Sequence, residues 1–211
     1  LEQLGVAHPR ARVINHPSQA VAAAGGLTYP VLVKPNIGGS GAGIVSFETP
    51  EELGRAADAG ELEFGPDDTA LVQEHLKPEG DSIVRVEFLD GKYLYAIRIS
   101  LMPDSFNLCP ADYCELPGVA DGVSGRGLPI EGHRPPLGVI EEAGRLLSAT
   151  GADLGGVEYL IDSRTREPHF YDVNALSNFV ADAPNVIGFD PFVNLVDFVV
   201  ERAVAAEAVR A

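Results

Sequence analysis

The sequence predicts a mixed α and β chain built on antiparallel strands, folded as one domain or as two small lobes. Three observations carry this. Two apolar, β-branched runs at 83–89 and 93–99 flank Asp90 and Gly91, the residue pair that closes tight type I′ hairpin turns. A second pair of strand-like runs lies within 155–174. Around them stand helical segments with clear end signals, the best being Thr49 as N-cap, Pro50 at the first helical position, Glu51 and Glu52 in the first turn and Gly60 past the end.

With 211 residues, 45% hydrophobic and 22% charged, the chain can bury a core, and global disorder is excluded. Its 31 acidic against 15 basic residues give a formal charge of -16, which repels a phosphate backbone or an anionic bilayer. Nucleic acid and membrane are therefore not expected partners. No apolar run approaches the ~20 residues of a membrane span, and no secretory signal opens the chain. Cys109 and Cys114 are too few for a disulfide framework and lack a second pair for zinc, which fits thiols in a reducing cytoplasm. Because the first residues read as the tail of a helix, 1–27 is expected to lead in from an upstream domain not included in the sequence.

Along the chain, 12–15 reads as a short strand, and Pro17 and Ser18 open an alanine-rich helix that stops at Gly25 and Gly26. A strand at 29–35 feeds a glycine-rich stretch, and 44–47 resumes as strand. Residues 69–76 form another strand, and the connection at 77–81 sets a boundary between a first lobe, 28–77, and a second, 78–211. The segment 102–136 has no sustained period and reads as a long loop. Ile140, Ala143 and Leu147 make a helical stripe that stops at Gly151. In the last helix Phe192, Leu195, Val196, Val199, Val200 and Ala203 have the spacing of one buried face.

The chemistry concentrates in two places. Lys34 is one of three lysines and ends an apolar strand, where its charge is costly unless an anion meets it. The next residues, including Gly38, Gly39, Ser40, Gly41 and Gly43, supply backbone amides that can approach phosphate oxygens, so lysine and loop together point to a polyphosphate. The spacing matches neither a P-loop nor a dinucleotide fingerprint. In the second hairpin Asp172 and Asn174 share a strand face, and a hairpin centred near Thr165 sets Glu158 opposite Asp172. Two carboxylates with Cβ atoms ~5 Å apart repel unless a cation lies between them, and an all-oxygen set suits Mg2+ or Mn2+.

These residues, in this order, resemble the ATP-grasp superfamily, and its RimK-type carboxylate–amine ligases in particular. The resemblance runs through GVAHPRARVINHPSQAV, YPVLVKPNIGGSGAGIV, LVQEHLKPEGD, GVEYLI and YDVNALSNF, and covers nearly the whole chain. It implies an α/β (α+β) fold of two lobes with antiparallel sheets clasping ATP. Lys34 would contact the α and β phosphates and the amides from Gly38 to Gly43 the β and γ phosphates. Glu74, His75 and Leu76 would offer hinge backbone groups to adenine, with Gln73 beside them, and Asp81 would hold the ribose. Glu158, Asp172 and Asn174 would hold Mg2+, and Arg85 and Arg98 would stabilise charge as phosphate transfers to a carboxylate. Two departures stand out. The RimK-type order of ligands, Asp then Glu, is exchanged here, and Gly156 stands where the D-alanine ligase branch carries an arginine, which speaks against that role. A further phosphate-binding lysine of the superfamily would lie before Leu1. The implied activity is an ATP- and Mg2+-dependent ligase joining a small-molecule or peptide carboxylate to an amine through an acyl phosphate. A carboxylase, a thiol ligase and a non-catalytic nucleotide-binding regulatory module are the alternatives, and the sequence leaves open whether the chain forms a homo-oligomer.

Overall fold

The structure, a computed structural model, describes residues 1–39, 41–101, 129–175, 177 and 179–210. Residues 102–128, with Asn107, Cys109, Cys114 and Arg126, lie outside the described residues, as does Ser40. The first lobe is a four-stranded antiparallel sheet in the order β1-β4-β2-β3, built from β1 (Ala11–Ile14), β2 (Val31–Pro35), β3 (Val45–Phe47) and β4 (Ala70–Glu74). Two helices, α1 (Ala20–Ala24) and α2 (Pro50–Ala59), close its core over Val31, Val33, Leu53 and Val72. The α2 ends follow the sequence signals: Thr49 Oγ1 accepts the Glu52 amide at 3.2 Å, and Gly60, at φ 71°, returns its N–H to the last turn. The alanine-rich helix is shorter than expected. Pro17–Gln19 is a 3-10 turn capped by the His16 imidazole, and only Ala20–Ala24 is α-helical.

The second lobe is a five-stranded antiparallel sheet in the order β7-β6-β5-β8-β9, from β5 (Ser82–Leu89), β6 (Lys92–Ser100), β7 (Ile130–His133), β8 (Leu154–Ile161) and β9 (Pro168–Asn174). Helix α3 (Leu137–Thr150) packs Ala143, Leu146 and Leu147 on one face, against Val84, Val86, Val157 and Phe170. The other face, which carries Ile83, Ile97, Ile99 and Leu160, is covered in part by Phe179 and Val180 ahead of α4 (Ala183–Ile187). The final helix is α5 (Pro191–Arg210).

Two expectations are corrected. The 102–136 loop contains a strand, β7, whose four residues pair with β6 and form the edge of the sheet, although too short to show a period. Within 1–27, β1 and α1 belong to the sheet and core of the first lobe, while Val6 enters the α3-side core and the Ala7 carbonyl accepts the Phe170 amide at 2.9 Å. On α5, Phe192, Val196, Val199 and Val200 are more than half exposed and Ala203 is exposed, with Leu195 packed on the core. The spacing gives the helix an apolar face, but spacing alone does not supply an element to cover it. Among the described residues, no helix is long and apolar enough to cross a membrane.

Candidate functional site

The two lobes meet where β2 of the first faces the β8–β9 hairpin of the second. Lys34, half-buried at the end of β2, donates from Nζ to the Tyr171 carbonyl at 3.2 Å and lies 6.0 Å from that ring's centre. This carbonyl is available because β9 bulges there. Tyr159 pairs with Phe170 but Glu158 pairs with Asp172, so Tyr171 is an extra residue without a partner across the ladder. The bulge also brings Glu158, Asp172 and Asn174 to the face that looks toward Lys34.

Glu158 is buried, and Asp172 opposite it is exposed. The buried carboxylate accepts Tyr171 Oη at Oε2 (3.0 Å) and both Arg85 Nη1 and Asn174 Nδ2 at Oε1, each at 3.3 Å. Burial first, and the facing Asp172 charge as well, push the Glu158 carboxyl up, while Arg85, Tyr171 and Lys34 oppose the shift. Burial and the neighbouring carboxylates also hold the Tyr171 phenol well above its ordinary range, so it stays a donor.

Arg85 lies between two acids. Its Nε donates to Glu87 Oε1 at 2.6 Å, and Ser177 Oγ donates to the other Glu87 oxygen. Burial works against the guanidinium charge, but Glu87 and Glu158 more than offset it and hold its pKa above the usual arginine value. The guanidinium lies over Gly156: a Cβ there would stand 2.7 Å from Arg85 Nε.

Lys34, Arg85, Glu158, Asp172 and Asn174 therefore converge. Arg98 does not. It pairs with Val84, on the α3 side of the sheet, and binds Glu131 Oε1 at 2.9 Å and His133 Nδ1 at 3.1 Å. This register sets Arg98 on the face away from Arg85, apart from the place in phosphate transfer that the resemblance implies for it. Glu87, Tyr171 and Ser177 are members the sequence reading missed. Only Glu87 carried a signal, being two residues from Arg85 on one strand and so on the same face.

The loop after β2 makes two successive turns, with Ala42 N–H on the Gly39 carbonyl and Ile44 N–H on the Gly41 carbonyl. Gly41 and Gly43 both take φ 73°, a conformation that favours glycine, and Gly38 and Gly39 are exposed. At the hinge, Gln73 and Leu76 are buried. Glu74 is engaged within the protein: its carboxylate accepts the Arg10 guanidinium and the Thr28 amide, and its own N–H goes to the Arg10 carbonyl. The His75 N–H donates to the Pro30 carbonyl and its ring meets Ser46 Oγ at 3.1 Å. Asp81 is exposed at the lobe junction, with φ 46°.

The donor set suits a hard divalent cation. Two carboxylates stand directly opposed, one of them exposed, and Asn174 turns its Nδ2 to Glu158, which leaves its Oδ1 as an acceptor. Among the described residues no three His, Cys, Asp or Glu side chains are placed to hold one metal ion, so the set here is two acids and an amide, which suits an ion that keeps several waters.

A lysine-bearing antiparallel lobe closed on a carboxylate hairpin of a second antiparallel lobe is the ATP-grasp fold, and solved structures of that fold match nearly the whole chain. The ATP-grasp ligase PsnB, complexed with minimal precursor, Mg, and ADP, matches with a TM-score of 0.62 and 17% identity, over 95% of this chain and 55% of that one. The D-alanine–D-alanine ligase from Bacillus anthracis, complexed with ATP, gives 0.64 and 16%, over 100% of this chain and 66% of that one. In sequence, the D-alanine–D-alanine ligase of Geobacter sulfurreducens is 31% identical over 170 residues, 81% of this chain and 50% of that protein. The chain thus spans about half the length of this curated relative. No family model matches the chain.

Proposed function

We propose that the protein is an ATP- and Mg2+-dependent ligase that joins a small-molecule or peptide carboxylate to an amine. The observation that carries this reading is the reach of Lys34 across the cleft to the bulged Tyr171 carbonyl, which puts a cation from one lobe beside the Glu158–Asp172 pair of the other. A triphosphate between them would meet Lys34 and the loop amides from Gly38 to Gly43 on one side. Asp172 and Asn174, backed by Glu158, would hold Mg2+ on the other. Since the Glu74 and His75 amides are already donated within the protein, the Leu76 backbone and Gln73 would serve the base, and Asp81 the ribose.

In the reaction a carboxylate oxygen attacks the γ-phosphorus, the bond to the bridging β–γ oxygen breaks, and ADP leaves. The amine nitrogen then attacks the acyl carbon, phosphate departs with the former carboxylate oxygen, and the nitrogen loses a proton. Bound Mg2+ would supply charge neutralisation to the phosphates. Lys34 and Arg85 would face the charge that builds on the transferring group, fixed in place beforehand. The Arg85 guanidinium lies where a side chain at Gly156 would begin, so a cation reaches that spot from β5. D-alanine therefore belongs in the acceptor panel beside other amino acids and peptides.

The test is ADP formation across carboxylates and amines with ATP and Mg2+, together with thermal stabilisation by ATP and Mg2+. A nucleotide in hundredfold excess over Kd should stabilise by about 2.7 kcal/mol. Lys34→Ala should remove most of that shift and leave the fold intact. No stabilisation by any nucleotide at millimolar concentration would overturn the proposal.

A further inference from the structure

We propose that Tyr171 is a positioning residue of the cation site, its hydroxyl fixing the Glu158 carboxylate in the orientation in which it meets the ion. The inference rests on the nucleotide reading above. The last torsion of a glutamate is broad, so rotamer preference leaves the plane of the carboxylate unset. Neighbouring donors have to hold it.

Three groups do so, and they are unequal. Arg85 Nη1 and Asn174 Nδ2 both reach Oε1, each at 3.3 Å, just beyond the usual span of an N–H···O bond. Tyr171 Oη donates to Oε2 at 3.0 Å, and among the described residues it is the one donor to that oxygen. Without the hydroxyl, the carboxylate is held at one end by two long contacts and can turn about them. With it, Oε2 is fixed and still keeps a lone pair for an ion.

The bulge in β9 places the phenol. Two residues, Tyr171 and Asp172, stand against Glu158 alone, where a regular ladder would turn one of them to the far face. One serves the buried carboxylate as donor, and the other faces it as a second acid. The Tyr171 ring is half-buried against the core that includes Leu76, Leu160 and Phe179, so packing sets the place of the hydroxyl independently of Glu158. The carbonyl that accepts Lys34 belongs to the main chain, and any residue at position 171 can offer it. Hydroxyl and carbonyl are therefore separable by substitution.

Tyr171→Phe keeps the ring and the carbonyl and removes only the hydroxyl. Mn2+ binding to the ADP-loaded chain is followed by electron paramagnetic resonance, and ADP binding in EDTA by calorimetry. The variant should bind Mn2+ at least about 10-fold more weakly, as sites that lose an orienting partner do, and bind metal-free ADP within about twofold of the parent. Unchanged Mn2+ affinity with a lowered unfolding midpoint would show that the hydroxyl serves the fold alone, and would overturn the inference while leaving the ligase reading in place. An equal loss of metal-free ADP binding would also overturn it, because the effect would not be specific to the cation. No binding of ADP by the unaltered protein, with or without Mn2+, would overturn both. If Tyr171→Phe does not fold, a crystal structure of the unaltered protein with ADP and Mn2+ decides: the phenol and the ion on the same Glu158 carboxylate supports the inference, and a phenol turned away from Glu158 overturns it.

Discussion

The two hairpins of the large sheet are built alike and turn their functional residues in opposite directions. Each is an antiparallel pair with a single bulge. In the β5–β6 hairpin, Leu89 pairs with Lys92 and Phe88 with Tyr93, and an unbroken ladder would then set Arg98 against Ile83, on the face of Arg85. The bulge between Glu87 and Phe88 sets it against Val84 instead, on the far side of the sheet. In the β8–β9 hairpin an unbroken ladder beyond Tyr159 and Phe170 would pair Glu158 with Tyr171 and turn Asp172 away. The bulge sets Glu158 against Asp172. Because side chains alternate with a period of two, one inserted residue changes the face of everything beyond it. The same device removes an arginine from the cleft in one hairpin and delivers a carboxylate in the other.

The largest effect expected from this contrast separates Asp172 from Arg98. Asp172→Asn should lower Mg2+-dependent ADP formation about 100-fold or more, since it removes the exposed charged oxygen of the cation site. Its unfolding midpoint without metal should hold or rise slightly, because the charge facing Glu158 is gone. Arg98→Ala should change turnover by less than about twofold, as its partners Glu131 and His133 lie on the opposite face. Equal losses of turnover in the two variants would break the comparison.

Next in size are the acids that hold the two arginines. Glu87 has a side chain 1% exposed against a buried Arg85, whereas Glu131 is 65% exposed against Arg98. Glu87→Leu leaves Arg85 with one acidic partner, Glu158, and should cost about 3–5 kcal/mol, as other broken buried pairs do. Glu131→Ala should cost no more than about 0.5 kcal/mol. Urea unfolding of both variants measures the difference, and similar midpoints would show that burial does not distinguish the two arginines. Gly156→Ala should fall between them, at about 1–3 kcal/mol, by crowding the guanidinium.

What the sequence made legible follows from how local each signal is. Thr49, Pro50 and Gly60 set the ends of α2, and Asp90 and Gly91 the first hairpin turn, because caps and tight turns are decided within a few residues. The pairing of Glu158 with Asp172 was also readable, since a hairpin centred on Thr165 already includes the extra residue of the bulge. The face of Arg98 was not. Nothing in the residues around Glu87 announces a bulge, and parity counted from the turn gives the wrong side. The Arg85 cluster was hidden for a related reason: Glu87, Glu158 and Ser177 come from three separated segments, and only the β5–β8 register brings them together. The exposed face of α5 shows the same limit, because periodicity identifies an apolar face without naming what covers it.

The smallest expected effect tests the far side of the first hairpin directly. Arg98 donates to His133 Nδ1, so the imidazole accepts there and is neutral in this contact. Burial first, and the Arg98 charge second, hold His133 below the ordinary histidine value of 6.5, with Glu131 pulling the other way. A histidine whose folded-state pKa is depressed keeps its full contribution to stability above about pH 6.5, the unfolded value, and loses it as the pH falls through the lower folded value. Arg98→Met removes the second cause of the shift. His133 should then titrate closer to 6.5 in an NMR pH series, and the acid limb of the stability curve should become shallower. Arg85→Lys, on the other face, should leave the His133 titration where it was. If Arg98→Met leaves it unmoved and Arg85→Lys shifts it, the β5–β6 register is the reverse of the one described, and the bulge at Glu87 does not divide the two arginines.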